Sequence, residues 1–96
     1  PIAGSMFRFV YAGGAADATD ALIITPGNSN FYIGGVTFLD TDGNAISSVF
    51  SNGSSNSSIQ FNVPAGFDVT IMGLNTTNYQ IFGNATSTTA PAFADQ

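Results

Sequence analysis

The chain has 96 residues, of which 7% are charged, and it contains no His, Cys, Lys or Glu. Its formal charges are those of Arg8 and six aspartates, which give a net charge of −5. This composition excludes disulfides, thiolate metal sites and nucleophiles activated by His or Lys. It also argues against binding to nucleic acid or to an anionic membrane, because both interactions depend on Lys and Arg.

The length fits one domain, and a hydrophobic fraction of 44% with nine Phe and three Tyr allows a packed core. No segment approaches the roughly 20 apolar residues that a membrane-spanning helix requires. Residues 1–16 lack the basic segment followed by an apolar run that marks a signal peptide, so we expect none there.

The first predicted strand is Met6–Tyr11 (MFRFVY). A loop follows, with a short helical turn over residues 15–20 as an alternative because Ala favours helix. A short apolar strand over residues 21–25 then ends at Pro26-Gly27. Period-two alternation divides the first strand between two faces, with Phe7, Phe9 and Tyr11 on one and Met6, Arg8 and Val10 on the other.

Residues 31–40 (FYIGGVTFLD) predict one strand bent at Gly34-Gly35, or two strands with a bulge there. The next five residues, DTDGN, contain the Asp-Gly pair that favours a tight hairpin turn, since Gly accepts a positive φ at no steric cost. We therefore expect residues 36–40 to pair with residues 45–50.

Alternation over residues 59–63 predicts a half-buried strand, and residues 67–74 predict another. The intervening Pro64-Ala65-Gly66 is typical of a tight turn, so we expect a second hairpin joining residues 59–63 to residues 67–71. One more short strand is predicted at residues 79–82. The sequence from residue 84 is rich in Thr, Ala and Pro, and predicts an extended tail over residues 84–96.

Six to eight short strands spaced about ten residues apart favour an all-β fold, an antiparallel β-sandwich or a small, jelly-roll-like barrel. This fold is expected to occupy residues 1–83 as a single domain.

A calcium loop is the first candidate site. Asp40, Asp42 and Asn44 place two carboxylates and an amide oxygen within five residues, and Ca²⁺ prefers such hard oxygen ligands. The EF-hand pattern also requires a third oxygen before its Gly and a later Glu, and the chain contains no Glu. The turn is the favoured interpretation, and no other metal or cofactor is expected.

Catalysis is not expected. Asp40 and Asp42 flank one turn, where both should stay solvated and titrate alike. Asp17 and Asp20 do not lie in the Gly-flanked apolar loops of an aspartic dyad. The abundant serines have no His or Lys to activate them. The sequence therefore predicts a protein that is not an enzyme, with no catalytic residues.

Glycans suggest two further interpretations. Asn52, Asn56, Asn75 and Asn84 each begin an N-x-[Ser/Thr] pattern, but about two such matches are expected by chance in so polar a chain. Tyr11, Tyr32 and Tyr79 could stack on sugars in a carbohydrate-binding module, although strand tyrosines are more often half-buried with the hydroxyl at the surface.

The near absence of charge is itself informative about the surface. Free soluble monomers usually carry about a quarter charged residues, whereas interface cores are depleted of Lys, Glu and Asp. Sheet edges without Lys also invite pairing with another strand. The composition therefore favours a subunit of a larger assembly, with a secreted or halotolerant single domain as the alternative.

The chain resembles small virion proteins of tailed bacteriophages, especially capsid decoration (cement) proteins. The resemblance rests on size, lack of Cys, strands rich in Gly, Ser, Thr and Asn, the DTDGN hairpin and the VPAG turn at residues 63–66. It implies a β-sandwich or barrel on the capsid surface that binds the major capsid protein and copies of itself, with a trimer as the expected oligomer. Residues 1–5 and the segment from Asn84 are the expected contact arms. A tail or fibre component and a carbohydrate-binding module remain alternatives.

Overall fold

A computed structural model describes residues 4–11, 20–27, 29–62 and 64–95, and in them the chain is all-β. Eight strands lie in two sheets, which we call the large and the small sheet. The predicted fold class is confirmed as a two-sheet, sandwich-like arrangement. In chain order the strands are β1 (Met6–Tyr11), β2 (Ala21–Ile24), β3 (Phe31–Asp40), β4 (Ala45–Phe50), β5 (Ser58–Phe61), β6 (Gly66–Gly73), β7 (Asn78–Ser87) and β8 (Ala92–Ala94).

The large sheet has the order β1-β6-β7-β3-β4, and the small sheet has the order β2-β5-β8. Neighbouring strands are antiparallel except β3 and β7, which run parallel in the middle of the large sheet. The two sheets pack face to face, and the core lies between them. Its buried side chains come from four strands, β3, β5, β6 and β7: Tyr32, Val36, Ile59, Phe61, Val69, Ile71, Tyr79, Ile81 and Ala85.

The first predicted hairpin is confirmed. β3 and β4 pair antiparallel, with Val36 opposite Val49 and Asp40 opposite Ala45. Asn44 in the turn has a φ of 51°, a left-handed conformation that Asn tolerates better than most residues. β3 is one continuous strand, and Gly34 within it has a φ of 99°. A Cβ at Gly34 would lie 2.7 Å from the backbone oxygen of Ile81, so this position requires glycine.

The second predicted hairpin is wrong. β5 pairs with β2 and β8 in the small sheet, whereas β6 pairs with β1 and β7 in the large sheet. The Pro64-Ala65-Gly66 segment therefore leads from one sheet to the other. The amide of Ala65 already donates to Thr86 O at 2.8 Å, so the chain joins the large sheet directly after Pro64.

The predicted tail from residue 84 is also wrong. β7 continues through Gly83 to Ser87, and β8 adds a strand to the small sheet, where Ala94 lies opposite Ser58. Gly83 has a φ of 140°, and a Cβ there would collide with Asp68 O. Glycine permits the close approach of β6 and β7 at this point rather than ending the strand. Phe93 of β8 packs edge-on against Tyr32.

Part of the predicted N-terminal arm belongs to the sheet. Gly4 donates its backbone amide to Gly73 O, and Gly73 donates to Ser5 O, each at 2.8 Å. Residues 1–3 lie outside the described residues. The alternative helical turn at residues 15–20 also falls outside them, except for Asp20.

Candidate interaction surfaces

The outward side of the large sheet, which we call the outer face, carries several exposed apolar side chains. Strand alternation places on it Met6, Arg8 and Val10 of β1, opposite Met72, Thr70 and Asp68 of β6. At the far side of the sheet, Ile46 and Phe50 of β4 also point outward, since their neighbour Val49 packs against the core. The most exposed apolar side chains of this face are Ile46 (75%), Phe50 (70%), Met6 (60%), Val10 (60%) and Phe82 (44%).

One ion pair lies on the outer face. Arg8 donates from Nε to Asp68 Oδ1 at 2.9 Å and from a terminal nitrogen to Oδ2 at 2.6 Å, a bidentate geometry. The hydrogen bonds from Arg8 lower the pKa of Asp68, and desolvation acts in the opposite direction. The same contact raises the pKa of Arg8. Because this arginine is the only cationic side chain of the sequence and is paired here, this pair adds no net charge to the face.

In the part of the chain that the structure describes, no strand lies beyond β1 or β4, and we call these two strands the open edges of the large sheet. Each strand has six residues, and neither contains Lys or Pro, the residues that commonly protect an edge from pairing. No described strand pairs with the outward-pointing amides and carbonyls of β1 or β4, so these groups can pair with another strand.

A cleft of about 160 Å³ opens between β1 and β2 on the inner side of the large sheet. Its walls are almost wholly apolar, and Phe7 and Phe9 form its exposed side. This volume is below the roughly 300–1,000 Å³ of typical small-molecule sites, so it suits one apolar side chain at most. The remaining lining residues are Ile23, Ile24, Thr25, Pro26, Tyr32, Ile71 and Tyr79.

The candidate calcium ligands lie in the β3–β4 turn. Asp40 Oδ1 accepts the backbone amides of Asp42 at 2.9 Å and Gly43 at 3.1 Å. This carboxylate oxygen therefore stabilises the turn itself. Among the described residues, no group of three or more acidic side chains converges on one point. The site at Asp40, Asp42 and Asn44 stays a prediction.

The tyrosines proposed for sugar stacking do not form a platform. Tyr32 and Tyr79 are buried at 0% and 7% exposure, and the Tyr32 hydroxyl donates to Ile23 O at 3.2 Å. Tyr11 is half-buried and stacks on Phe67 with ring centroids 5.8 Å apart. The expectation that strand tyrosines keep the hydroxyl at the surface is wrong for Tyr32, because the small sheet covers it.

Three of the four Asn positions in the N-x-[Ser/Thr] patterns organise loops, and Asn56 Oδ1 accepts the backbone amide of Asn52 at 2.8 Å. Asn52 Oδ1 accepts the backbone amides of Ser54, Ser55 and Asn56, at 2.9 to 3.1 Å. Asn75 Oδ1 accepts those of Thr77 and Asn78, both at 2.9 Å. These contacts explain why Asn occurs there without any role for a glycan.

Sequence reasoning identified the alternation of β1 but not the apolar outer face. The apolar residues Ile46 and Phe50, four residues apart in the segment AISSVF, were the sequence feature that could have indicated this face. Their exposure follows from the place of β4 at a sheet edge, which depends on the topology of the other strands.

The fold and its surfaces define a two-sheet β-sandwich with exposed apolar side chains on its outer face. No protein-family model, no curated protein and no solved structure matches the chain. In the described part of the chain, no helix is long and apolar enough to cross a membrane.

Proposed function

We propose that the protein is a non-enzymatic structural subunit that buries its outer face and open edges against other protein subunits, copies of itself included. The observation that carries this proposal is the outer face. Five apolar side chains there are between 44% and 75% exposed, and the Arg8–Asp68 pair between them is internally neutralised.

The character of the outer face agrees with known interfaces. Interface cores are enriched in aromatic residues and Met and depleted of Lys, Glu and Asp. Met6, Phe50 and Phe82 supply the enriched types, and Asp68 is the acidic residue paired to Arg8 on the same face. Water is unfavourably ordered against such a surface in the free monomer, so its burial favours association.

The proposed location is the capsid surface of a tailed bacteriophage, where the protein would act as a decoration protein. Size, composition and the all-β fold support this location through the resemblance to such proteins. Its partners would be the major capsid protein and further copies of the chain, with a trimer as the proposed oligomer. Many identical weak contacts on a lattice would add up to stable attachment.

Immunogold electron microscopy tests the location. Antibodies against the recombinant protein should label the heads of virions released from cells that carry the gene. Label confined to tails would favour the alternative of a tail or fibre component. Virions without label would contradict a virion role.

A further inference from the structure

The two open edges of the large sheet run in opposite directions. Across the large sheet, in the order β1-β6-β7-β3-β4, neighbouring strands are antiparallel except for the parallel pair β7 and β3. The three reversals leave β1 and β4 antiparallel to each other. When a second copy is placed beside the first in the same orientation, its β1 therefore lies antiparallel to β4. Antiparallel pairing is the slightly more stable ladder and tolerates a solvated face.

The hydrogen-bonding groups of these edges match. Gly73 exchanges backbone hydrogen bonds with Gly4 and Ser5, which fixes the alternation along the β1–β6 ladder. The amides and carbonyls of Phe7, Phe9 and Tyr11 therefore point toward β6. The amides and carbonyls of Met6, Arg8 and Val10 then point to the open edge. In β4, Ser51 donates to Gly34 O at 2.9 Å, so Val49, Ser47 and Ala45 face β3. The groups left outward are those of Ile46, Ser48 and Phe50.

Among the registers that match the hydrogen bonds and the faces, one pairs all six of these residues. It sets Met6 opposite Phe50, Arg8 opposite Ser48 and Val10 opposite Ile46. All six side chains lie on the outer face, so the face continues unbroken from one copy to the next. Met6, Val10, Ile46 and Phe50 are 60% to 75% exposed in the single chain, and the register brings them together as two apolar cross-strand pairs.

Charge favours the contact between unlike edges. β4 contains no charged residue, and Arg8 already pairs with Asp68 of its own sheet, so no like charges meet across the junction. A two-fold β1–β1 contact centred on Arg8 would instead place two guanidinium groups directly opposite, which is destabilising. A two-fold β4–β4 contact would leave β1 and its exposed Met6 and Val10 uncovered.

From these matches we infer that β4 of one copy pairs with β1 of a second copy in the register Met6–Phe50, Arg8–Ser48 and Val10–Ile46. This inference rests on the proposed function, since it specifies how copies of the chain associate. The contact is head-to-tail, so each copy uses both edges, and the assembly grows as a ring or an open array.

Engineered cysteines test the register cleanly, because the natural chain has none. The variant Val10→Cys/Ile46→Cys places thiols opposite each other on the outer face, and Phe9→Cys/Ser47→Cys does so on the inner face. Within one copy β1 and β4 are four strand spacings apart, roughly 19 Å, far beyond the roughly 7 Å limit between Cα atoms for a disulfide. Any disulfide must therefore join two copies.

The matched controls are the crossed variants Val10→Cys/Ser47→Cys and Phe9→Cys/Ile46→Cys, whose thiols point to opposite faces. After mild oxidation, a non-reducing gel should show a ladder of multimers for the two matched variants and a monomer band for the crossed variants. The pair at Val10 and Ile46 replaces exposed side chains, so it keeps the test valid if the Phe9 variant does not fold.

Three results would overturn the inference. Equal cross-linking of matched and crossed variants would exclude a defined register. Dimers of Ser48→Cys alone, without a ladder from the matched variants, would indicate a two-fold β4–β4 contact. The third result is the absence of any cross-link. If the protein then sediments as a multimer, this contact is excluded but self-assembly is not contradicted. If it sediments at 9.8 kDa, self-assembly is contradicted as well.

Discussion

Phe61 of β5 and Phe67 of β6 stack in the interior, with ring centroids 4.3 Å apart and planes inclined by 7°. The two residues lie on either side of Pro64-Ala65-Gly66 but belong to different sheets. Tyr11 also stacks on Phe67 and extends the cluster to the edge strand β1. The aromatic cluster thus joins the small sheet to the large sheet where the chain passes between them.

Phe61→Ala should destabilise the protein strongly. Phe61 is 1% exposed, and the substitution would leave a cavity beside Phe67, which costs about 3–5 kcal/mol for a buried phenylalanine. Phe82→Ala is the matched control, because Phe82 is 44% exposed on the outer face, and its loss should cost about 1 kcal/mol or less. Urea denaturation measures both, and equal losses would contradict the assignment of the core.

The two hairpin predictions had different outcomes for a physical reason. Asp40 and Asn44 specify their turn locally, through side-chain hydrogen bonds to the backbone and a left-handed residue. Pro64 and Gly66 specify only a change of direction. Whether the following strand pairs beside β5 or crosses to the other sheet depends on Phe61, Phe67 and the partners of β6, which are distant in sequence. Local turn chemistry does not contain that information.

Tyr32→Phe should change the response to alkaline pH. Burial, with a smaller contribution from Tyr79, raises the pKa of the Tyr32 hydroxyl far above its usual value of about 10. A raised folded-state pKa contributes stability that is complete below the unfolded pKa and is lost as pH rises towards the folded value, because the unfolded chain ionises first.

At pH 7 the Tyr32→Phe variant should lose about 1 kcal/mol with the hydrogen bond to Ile23 O. Above about pH 10 this difference from the natural protein should shrink, since the variant has no hydroxyl to ionise. Urea denaturation at pH 7 and at two alkaline pH values measures it. A difference that stays constant with pH would contradict burial of this hydroxyl.

Asp68→Asn should reduce stability most near neutral pH. The Arg8 hydrogen bonds lower the pKa of Asp68 in the folded protein. The stabilisation by this ion pair is therefore present above the unfolded carboxyl pKa of about 4, and it is lost as pH falls through the pKa of Asp68 in the folded protein. The effect should be small and weakened by salt, as the side chains of Arg8 and Asp68 are 65% and 38% exposed. Melting temperatures from pH 7 to pH 2, with Asp42→Asn as control, test this. A loss independent of pH would contradict the ion pair.

Asp40→Ala should weaken the β3–β4 turn. It removes the acceptor of the Asp42 and Gly43 amides, at a cost of about 1–2 kcal/mol. Asp42→Ala is the control, because Asp42 is exposed and contributes its backbone amide to this turn, so it should change stability by about 0.5 kcal/mol or less. Thermal unfolding compares them. A larger loss for Asp42→Ala would contradict this account of the turn.

Calcium provides a separate test of the same turn. We expect Ca²⁺ to leave the melting temperature unchanged, because Asp40 Oδ1 is already used within the turn. Calorimetric titration should give no binding heat. A rise in melting temperature that is abolished by Asp42→Ala would establish the metal site instead.

The candidate surface was only partly predictable. Alternation in MFRFVY correctly separated Met6, Arg8 and Val10 from the inward-facing aromatics. The pairing of Arg8 with Asp68 brings together residues 60 positions apart, and no local pattern indicates it. The exposure of Ile46 and Phe50 likewise depends on β4 being the last strand of its sheet.

The central claim is that burial of the outer face drives association, and sedimentation velocity over a range of concentrations tests it most directly. The natural protein should sediment as species larger than 9.8 kDa, and Ile46→Ser/Phe50→Ser should shift it to the monomer. Leu22→Ser/Ile24→Ser is the matched control, because it removes two apolar side chains of similar exposure (61% and 54%) from the edge strand of the small sheet. It should leave the multimers intact. A natural protein that sediments as a monomer at every concentration, or a control as disruptive as the outer-face variant, would contradict the claim.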